Sequence, residues 1–116
     1  MAPHEIDFWQ AVEGHAAAVL RPRTTDEVAQ IMALAHRHGV AVVPQGGNTG
    51  LVGGGVPDRS GRQVVLSLSG LGRIRAVDPA GEWLVAEAGC TLASVQAAAD
   101  AAGRLFPLSL GSEGTC

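Results

Sequence analysis

The sequence predicts an α+β fold. An N-terminal βαβ sub-lobe with a short parallel sheet precedes the start of a second sub-lobe, an antiparallel hairpin plus a helix. Three observations predict this. A helix-like pattern at 24–38 lies between two aliphatic runs, 16–20 and 40–43, which is the order of a βαβ unit. The turn sequence Asp78-Pro79-Ala80-Gly81 then separates two more short apolar runs, the mark of a hairpin. Finally, 47% of the 116 residues are apolar and 16% charged, the balance of a folded chain and not a disordered one. That length allows one small domain or part of a larger one, burying roughly two-thirds of its unfolded surface.

Each element has a local cause. Ala16 to Leu20 is closed by Arg21-Pro22, and proline drives the residues before it toward extended geometry, so this run is a strand. Thr24 is a helix cap, Glu27 completes a capping box and Asp26 suits the positive helix end. Val28, Ile31, Met32 and Ala35 fall on one helical face. His36, Arg37 and His38 suit the negative end, and Gly39 is a left-handed terminator. Val40-Ala41-Val42-Val43 is continuous and largely β-branched, as in a strand buried on both faces and parallel to the first. A third strand runs from Gln63 to Ser69. Ile74 to Val77 and Trp83 to Ala88 form the hairpin, and a second helix runs from its Thr91 cap to about Ala102, ended by Gly103. The tail from Leu105 reads as a short strand followed by a glycine loop. We place the boundary between the sub-lobes near Leu71, with residues 1–15 as an N-terminal extension, 16–70 as the first sub-lobe and 71–116 as the beginning of the second. One hairpin and one helix have little to pack against, so the second sub-lobe reads as unfinished.

Composition excludes several functions. All eight basic residues are Arg, which removes a P-loop lysine, a Schiff-base lysine and a pyridoxal phosphate anchor. A net charge of −3 argues against nucleic acid and against an anionic membrane surface. No apolar run reaches the ~18 residues of a membrane span, and the N-terminus lacks a signal-peptide layout. Two cysteines, Cys90 and Cys116, are no disulfide framework, which leads us to expect a cytoplasmic, reducing compartment.

The 16 glycines concentrate in Pro44-Gln45-Gly46-Gly47-Asn48-Thr49-Gly50-Leu51-Val52-Gly53-Gly54-Gly55. This loop follows a parallel strand, where open α/β sheets hold ligands. Glycines let backbone N–H groups converge on an anion, and Asn48 and Thr49 add side-chain donors. The spacing is neither a Rossmann fingerprint nor a Walker loop. An unconstrained surface loop is the alternative; the position directly after a buried strand favours phosphate binding. The tail Pro107-Leu108-Ser109-Leu110-Gly111-Ser112-Glu113-Gly114-Thr115-Cys116 has the same texture, and two such loops could hold an extended anion such as a dinucleotide, but from this segment alone an ordinary connection is the favoured reading. His4, His15, His36 and His38 lack metal-ligand spacing. Cys90 precedes a helix but reads as a small buried residue. No pair of acidic residues suggests acid–base catalysis, so no catalytic residue and no metal site are predicted.

From Val19 to Cys116 the sequence resembles the N-terminal half of the FAD-binding domain of FAD-linked oxidases, the vanillyl-alcohol-oxidase or p-cresol-methylhydroxylase type (PCMH-type). The residues that carry the resemblance are Arg21-Pro22 with the helix Thr24 to His38, and Val42-Val43-Pro44 running on through Gln45 to Gly54. Leu66-Ser67-Leu68-Ser69, Ala88-Gly89-Cys90, Pro107 to Gly111 and Gly114-Thr115-Cys116 add to it. The Gln-Gly-Gly-Asn-Thr-Gly form is most similar to the D-2-hydroxyglutarate, D-lactate and glycolate dehydrogenase branch.

The resemblance implies FAD with its pyrophosphate on Gly46 to Gly50. The implied cofactor-binding residues are Pro44, Gln45, Gly46, Gly47, Asn48, Thr49, Gly50 and Leu51 in the first loop, with Gly111, Ser112, Gly114 and Thr115 in the second. It implies oxidation of the C2 hydroxyl of a small D-2-hydroxy acid by hydride transfer to the flavin. Substrate, catalytic and metal-binding residues belong to a C-terminal domain that this chain lacks. The chain therefore reads as a cofactor-binding fragment, inactive alone; a stand-alone, non-enzymatic nucleotide- or partner-binding module is the alternative. Asn48 matches the position of the flavin-linking histidine in the berberine-bridge branch, and an amide cannot form that bond. Cys116 lies near where some relatives attach flavin through sulfur. Non-covalent FAD is expected.

Overall fold

The computed structural model describes residues 2–8, 10–112 and 114–116. In chain order the elements are α1 (Ala2–Glu5), β1 (Ala16–Leu20), α2 (Thr25–His38), β2 (Val42–Gln45), β3 (Gln63–Ser67), β4 (Ile74–Asp78), β5 (Trp83–Ala86) and α3 (Leu92–Ala101). The first three strands form a parallel sheet in the order β1-β3-β2, and β4 and β5 form a separate antiparallel pair.

The strand order corrects the simple βαβ picture. β1 and β2 are parallel, as expected, but β3 enters between them, with Val65 opposite both Val19 and Val43. The buried strand is therefore β3: Val65 has no exposure and Leu66 and Ser67 are each 3% exposed. β2, expected to be buried on both faces over 40–43, is an edge strand that begins at Val42 and runs on to Gln45. Pro44 explains why. Proline cannot donate to an interior ladder, so a strand that contains it goes to an edge.

α2 begins and ends where its caps dictate. Thr24 Oγ1 accepts from Glu27 N at 3.1 Å, and the Glu27 carboxylate accepts from Arg23 N at 2.7 Å, one residue earlier than the usual capping box. Gly39 closes the helix at φ 62°, and Val40 N returns to Ala35 O at 2.9 Å. No residue of α2 is fully buried. Ile31, Leu34 and Ala35 face Leu20, Val42 and Val64 across an apolar cleft of about 260 Å³. α3 is capped as predicted, Thr91 Oγ1 accepting from Ser94 N at 3.2 Å.

The hairpin turns on Asp78, whose Oδ1 accepts from Ala80 N and Gly81 N at 3.1 and 3.0 Å. Val77, Trp83 and Val85 are exposed. The tail corrects a second expectation, because residues 105–110 form no strand; Leu108 O is held by Gln96 Nε2 of α3 at 2.6 Å. Glu113 of the predicted second loop lies outside the described residues. The radius of gyration is 16.0 Å and the extents are 48 × 32 × 17 Å, against about 13 Å for a compact chain of this length.

Glu87 fastens the hairpin to the rest. Its carboxylate, 3% exposed at the side chain, accepts from Arg73 N at 3.0 Å, Arg73 Nε at 3.1 Å and Arg75 Nε at 3.2 Å. Arg75 in turn donates to Thr25 Oγ1 at the start of α2, at 2.9 Å. The Arg73 backbone N–H, followed by the two guanidinium groups, holds the Glu87 carboxyl below the usual glutamate range. A lowered folded pKa means stability that is fully present above the unfolded value, about 4.3, and lost as pH falls through the folded one. Glu87→Gln should therefore lower the urea midpoint at pH 7 and differ less from wild type at pH 3. Parallel midpoints at both pH values would contradict this role.

Candidate functional site

The sheet delivers one loop to the place where parallel sheets hold ligands: residues 46–55 leave the C-terminal end of β2. Gln45 anchors it. The residue is 3% exposed, and its Nε2 donates to His4 O at 3.0 Å and Gly55 O at 2.8 Å while Oε1 pairs with His4 Nδ1 at 2.6 Å. Both amide hydrogens are used, so the two ends of the loop are held together from inside. Asn48 adds a second clamp. It takes φ 53°, a left-handed conformation that Asn tolerates better than most residues. Its Nδ2 donates to Ile6 O at 2.8 Å and Pro3 O at 3.2 Å.

Residues 3–7 thus fold across the loop, a placement the sequence reading did not foresee. Glu5 ties this segment to β1, its carboxylate accepting from Ala16 N at 2.8 Å. Asp7 Oδ1 accepts from Ala11 N at 2.7 Å and Val12 N at 3.1 Å, shaping the return toward β1.

The side chains of Gln45 and Asn48 are thus committed to His4, Gly55, Pro3 and Ile6. Among the described residues, the N–H groups of Gly46, Gly47, Asn48, Thr49 and Gly50 donate to no other group of the protein. A cleft of about 260 Å³ opens over them, lined by Pro44 through Gly50, Gly53 through Val56, Asp7 and Cys116. A Cβ built on Gly46 or Gly50 meets nothing within 4 Å, and neither residue has a left-handed φ. Consecutive free N–H groups around an open concavity form an anion nest. The volume is below the roughly 300–1,000 Å³ of pockets that enclose whole organic ligands, the scale of a ligand's anionic part.

The two glycine-rich loops meet, as two loops for one extended ligand require. A Cβ on Gly47 would fall 1.8 Å from Thr115 O, so this glycine makes room for the second loop's backbone. That loop is closed by Thr115 N and Cys116 N donating to Ser112 O at 3.3 and 3.2 Å. Of the other predicted site residues, Pro44 and Thr49 line the cleft, whereas Leu51, Gly111, Ser112, Gly114 and Thr115 do not; Leu51 is 53% exposed. Gly53 to Gly55 and Cys116, members of the two glycine-rich loops but not of the implied cofactor contacts, also line it, and Asp7 and Val56 do so without having been predicted. Cys90 is half-buried, its N–H donating to Glu87 O at 3.0 Å. No group of three or more His, Cys, Asp or Glu converges among the described residues. A larger cavity, about 370 Å³, lies in the other sub-lobe between the hairpin, Ala99 and Phe106. We attribute it to loose packing of the hairpin against α3.

A model of the FAD-binding domain matches residues 16–116. The chain belongs to this FAD-binding-domain family. Mitochondrial D-2-hydroxyglutarate dehydrogenase of Bos taurus is 37% identical over 116 residues, covering 100% of this chain and 21% of the relative. A putative mitochondrial D-lactate dehydrogenase of Schizosaccharomyces pombe is 36% identical over 111 residues, 96% of this chain and 21% of the relative. The D-2-hydroxyglutarate–pyruvate transhydrogenase of Saccharomyces cerevisiae is 34% identical over 120 residues, 99% and 24% respectively. The chain therefore spans about a fifth of the length of these relatives. A solved structure of alkyldihydroxyacetonephosphate synthase shares the fold, with TM-score 0.66 and 22% identity over 73% of this chain and 17% of that one. The family's dinucleotide fits the site: its pyrophosphate is the kind of group that five free N–H donors hold without a basic side chain.

Gly46 and Gly47 separate the ligand contact from the loop contact. Gly46→Ala should leave thermal stability unchanged and weaken FAD binding about tenfold, or about 1.4 kcal/mol. Gly47→Ala should lower the melting temperature before any ligand is added. Thermal melts and flavin fluorescence titration check both, and equal stability loss in the two variants would contradict this assignment.

Proposed function

We propose that this chain is the FAD-cradling lobe of an oxidoreductase acting on a small D-2-hydroxy acid. The row of free N–H groups from Gly46 to Gly50, facing an open cleft at the end of β2, carries the reading. Family membership supplies the cofactor, and the activities for which the relatives are named suggest the substrate class. Gly46 to Gly50 would hold the FAD pyrophosphate, and the bound flavin would supply the hydride acceptor for oxidation at C2 of the hydroxy acid. The chain's own contribution is positional. Gln45 and Asn48 fix the loop so that its N–H groups are oriented before the cofactor arrives, which lowers the ordering cost of binding. Thr115, stacked on Gly47, brings the second loop to the same cleft.

FAD is held non-covalently in this proposal. The Asn48 amide is occupied by Pro3 O and Ile6 O and is no nucleophile. Cys116 lines the same cleft as Gly46 to Gly50, and in this reading that cleft takes the pyrophosphate and not the flavin ring. The catalytic groups lie outside this chain, so the 116 residues alone should not turn over substrate.

The test uses the longest open reading frame that contains this chain. The purified protein should be yellow and should reduce an artificial electron acceptor with D-2-hydroxyglutarate or D-lactate but not with the L-isomers. Acid precipitation should leave the flavin in the supernatant. A colourless protein that gains no flavin absorbance with excess FAD would refute the cofactor assignment, and a washed pellet that stays yellow would refute the non-covalent one.

A further inference from the structure

Asp7 has one oxygen too many for its structural role. Oδ1 accepts from Ala11 N and Val12 N, which is enough to form the turn. Oδ2 is buried without any hydrogen-bond partner, and the residue is 3% exposed. Among the described residues no other buried side-chain polar atom is left in this state. A buried carboxylate oxygen left without a donor is costly, so a partner is expected from outside the chain. Asp7 lines the same cleft as Gly46 to Gly50.

The chemistry of the neighbours decides what that partner is. The loop N–H groups attract an anion, and a carboxylate in the same cleft would repel phosphate oxygens. Both features are satisfied together only by a ligand that presents an anionic group to the loop and a hydrogen-bond donor to Asp7. In a dinucleotide the donors joined most closely to the pyrophosphate are sugar hydroxyls. Resting on the FAD-lobe reading above, we propose that Asp7 Oδ2 accepts a hydrogen bond from a hydroxyl of the ribose or the ribityl chain next to the pyrophosphate. Asp7 is thereby a specificity-determining residue: it distinguishes a nucleotide from a bare phosphate or pyrophosphate, which carries no sugar hydroxyl.

The experiment compares wild type, Asp7→Asn and Asp7→Ser in the longest open reading frame that contains this chain, stripped of flavin. Asn keeps the Oδ1 acceptor and replaces Oδ2 by a donor; Ser keeps one acceptor for the turn and has no second oxygen. Equilibrium binding is measured for FAD, ADP, FMN and inorganic pyrophosphate. Both variants should bind FAD about tenfold or more weakly while pyrophosphate affinity stays the same or rises. A matching loss with ADP places the hydroxyl on the ribose, and a matching loss with FMN places it on the ribityl chain. Equal losses for FAD and pyrophosphate would show that Asp7 only shapes the loop and would overturn the proposal. Unchanged or tighter FAD binding would also overturn it, as would unfolding of both variants, which assigns Asp7 to the turn alone. Wild type that binds none of the four ligands fails the FAD-lobe reading itself, a result separable from wild type that binds FAD and variants that bind it equally well.

Discussion

The buried amide of Gln45 is the point on which the site depends. It sits at the last residue of β2 and reaches in two directions at once, to Gly55 at the far end of the glycine loop and to His4 in the N-terminal segment. A loop this rich in glycine has a large conformational entropy to lose. Without an internal anchor it would sample many shapes, and its N–H groups would rarely point the same way. Satisfying the amide fixes the loop ends, and Asn48 then fixes its middle against Pro3 and Ile6. Order in the loop comes from these side-chain bonds, and the backbone N–H groups of residues 46–50 stay free for the proposed anion.

The same division shows how a loop without lysine can offer donors to the proposed phosphate. The loop has no basic residue between Pro44 and Asp58. Backbone donors do not have to be desolvated as full charges, and their geometry is set by the fold. The cost is that every residue contributing an N–H must also keep the approach clear. Gly46 and Gly50 do so by having no side chain over the cleft. Gly47 serves a different contact, the close approach of the Thr115 carbonyl. Adjacent glycines in one motif therefore answer to different constraints.

Much of this was legible in the sequence. Helix ends were legible because caps act within a few residues: Thr24, Gly39 and Thr91 all stand where their chemistry placed them. The hairpin was legible for the same reason, through Asp78. The glycine loop announced itself by composition and by following a strand. Strand order was not legible. Val40 to Val43 and Val64 to Leu66 are equally aliphatic, and which becomes central depends on contacts far apart in sequence; Pro44 was the single hint that β2 would lie at an edge. The roles of Gln45 and Asn48 were read as ligand contacts because their partners, His4, Pro3 and Ile6, lie more than 40 residues away. Asp7 was missed altogether, since a lone aspartate carries no periodic or spacing signal.

The central claim is that the backbone N–H groups from Gly46 to Gly50 are the anion site. Backbone amide NMR on the ¹⁵N-labelled protein, titrated with ADP, addresses it residue by residue. The account predicts downfield shifts concentrated at Gly46 to Gly50, saturating together with a single affinity. It is contradicted if those five resonances stay in place while the changes gather around Trp83 and Arg104, at the larger cavity of the other sub-lobe.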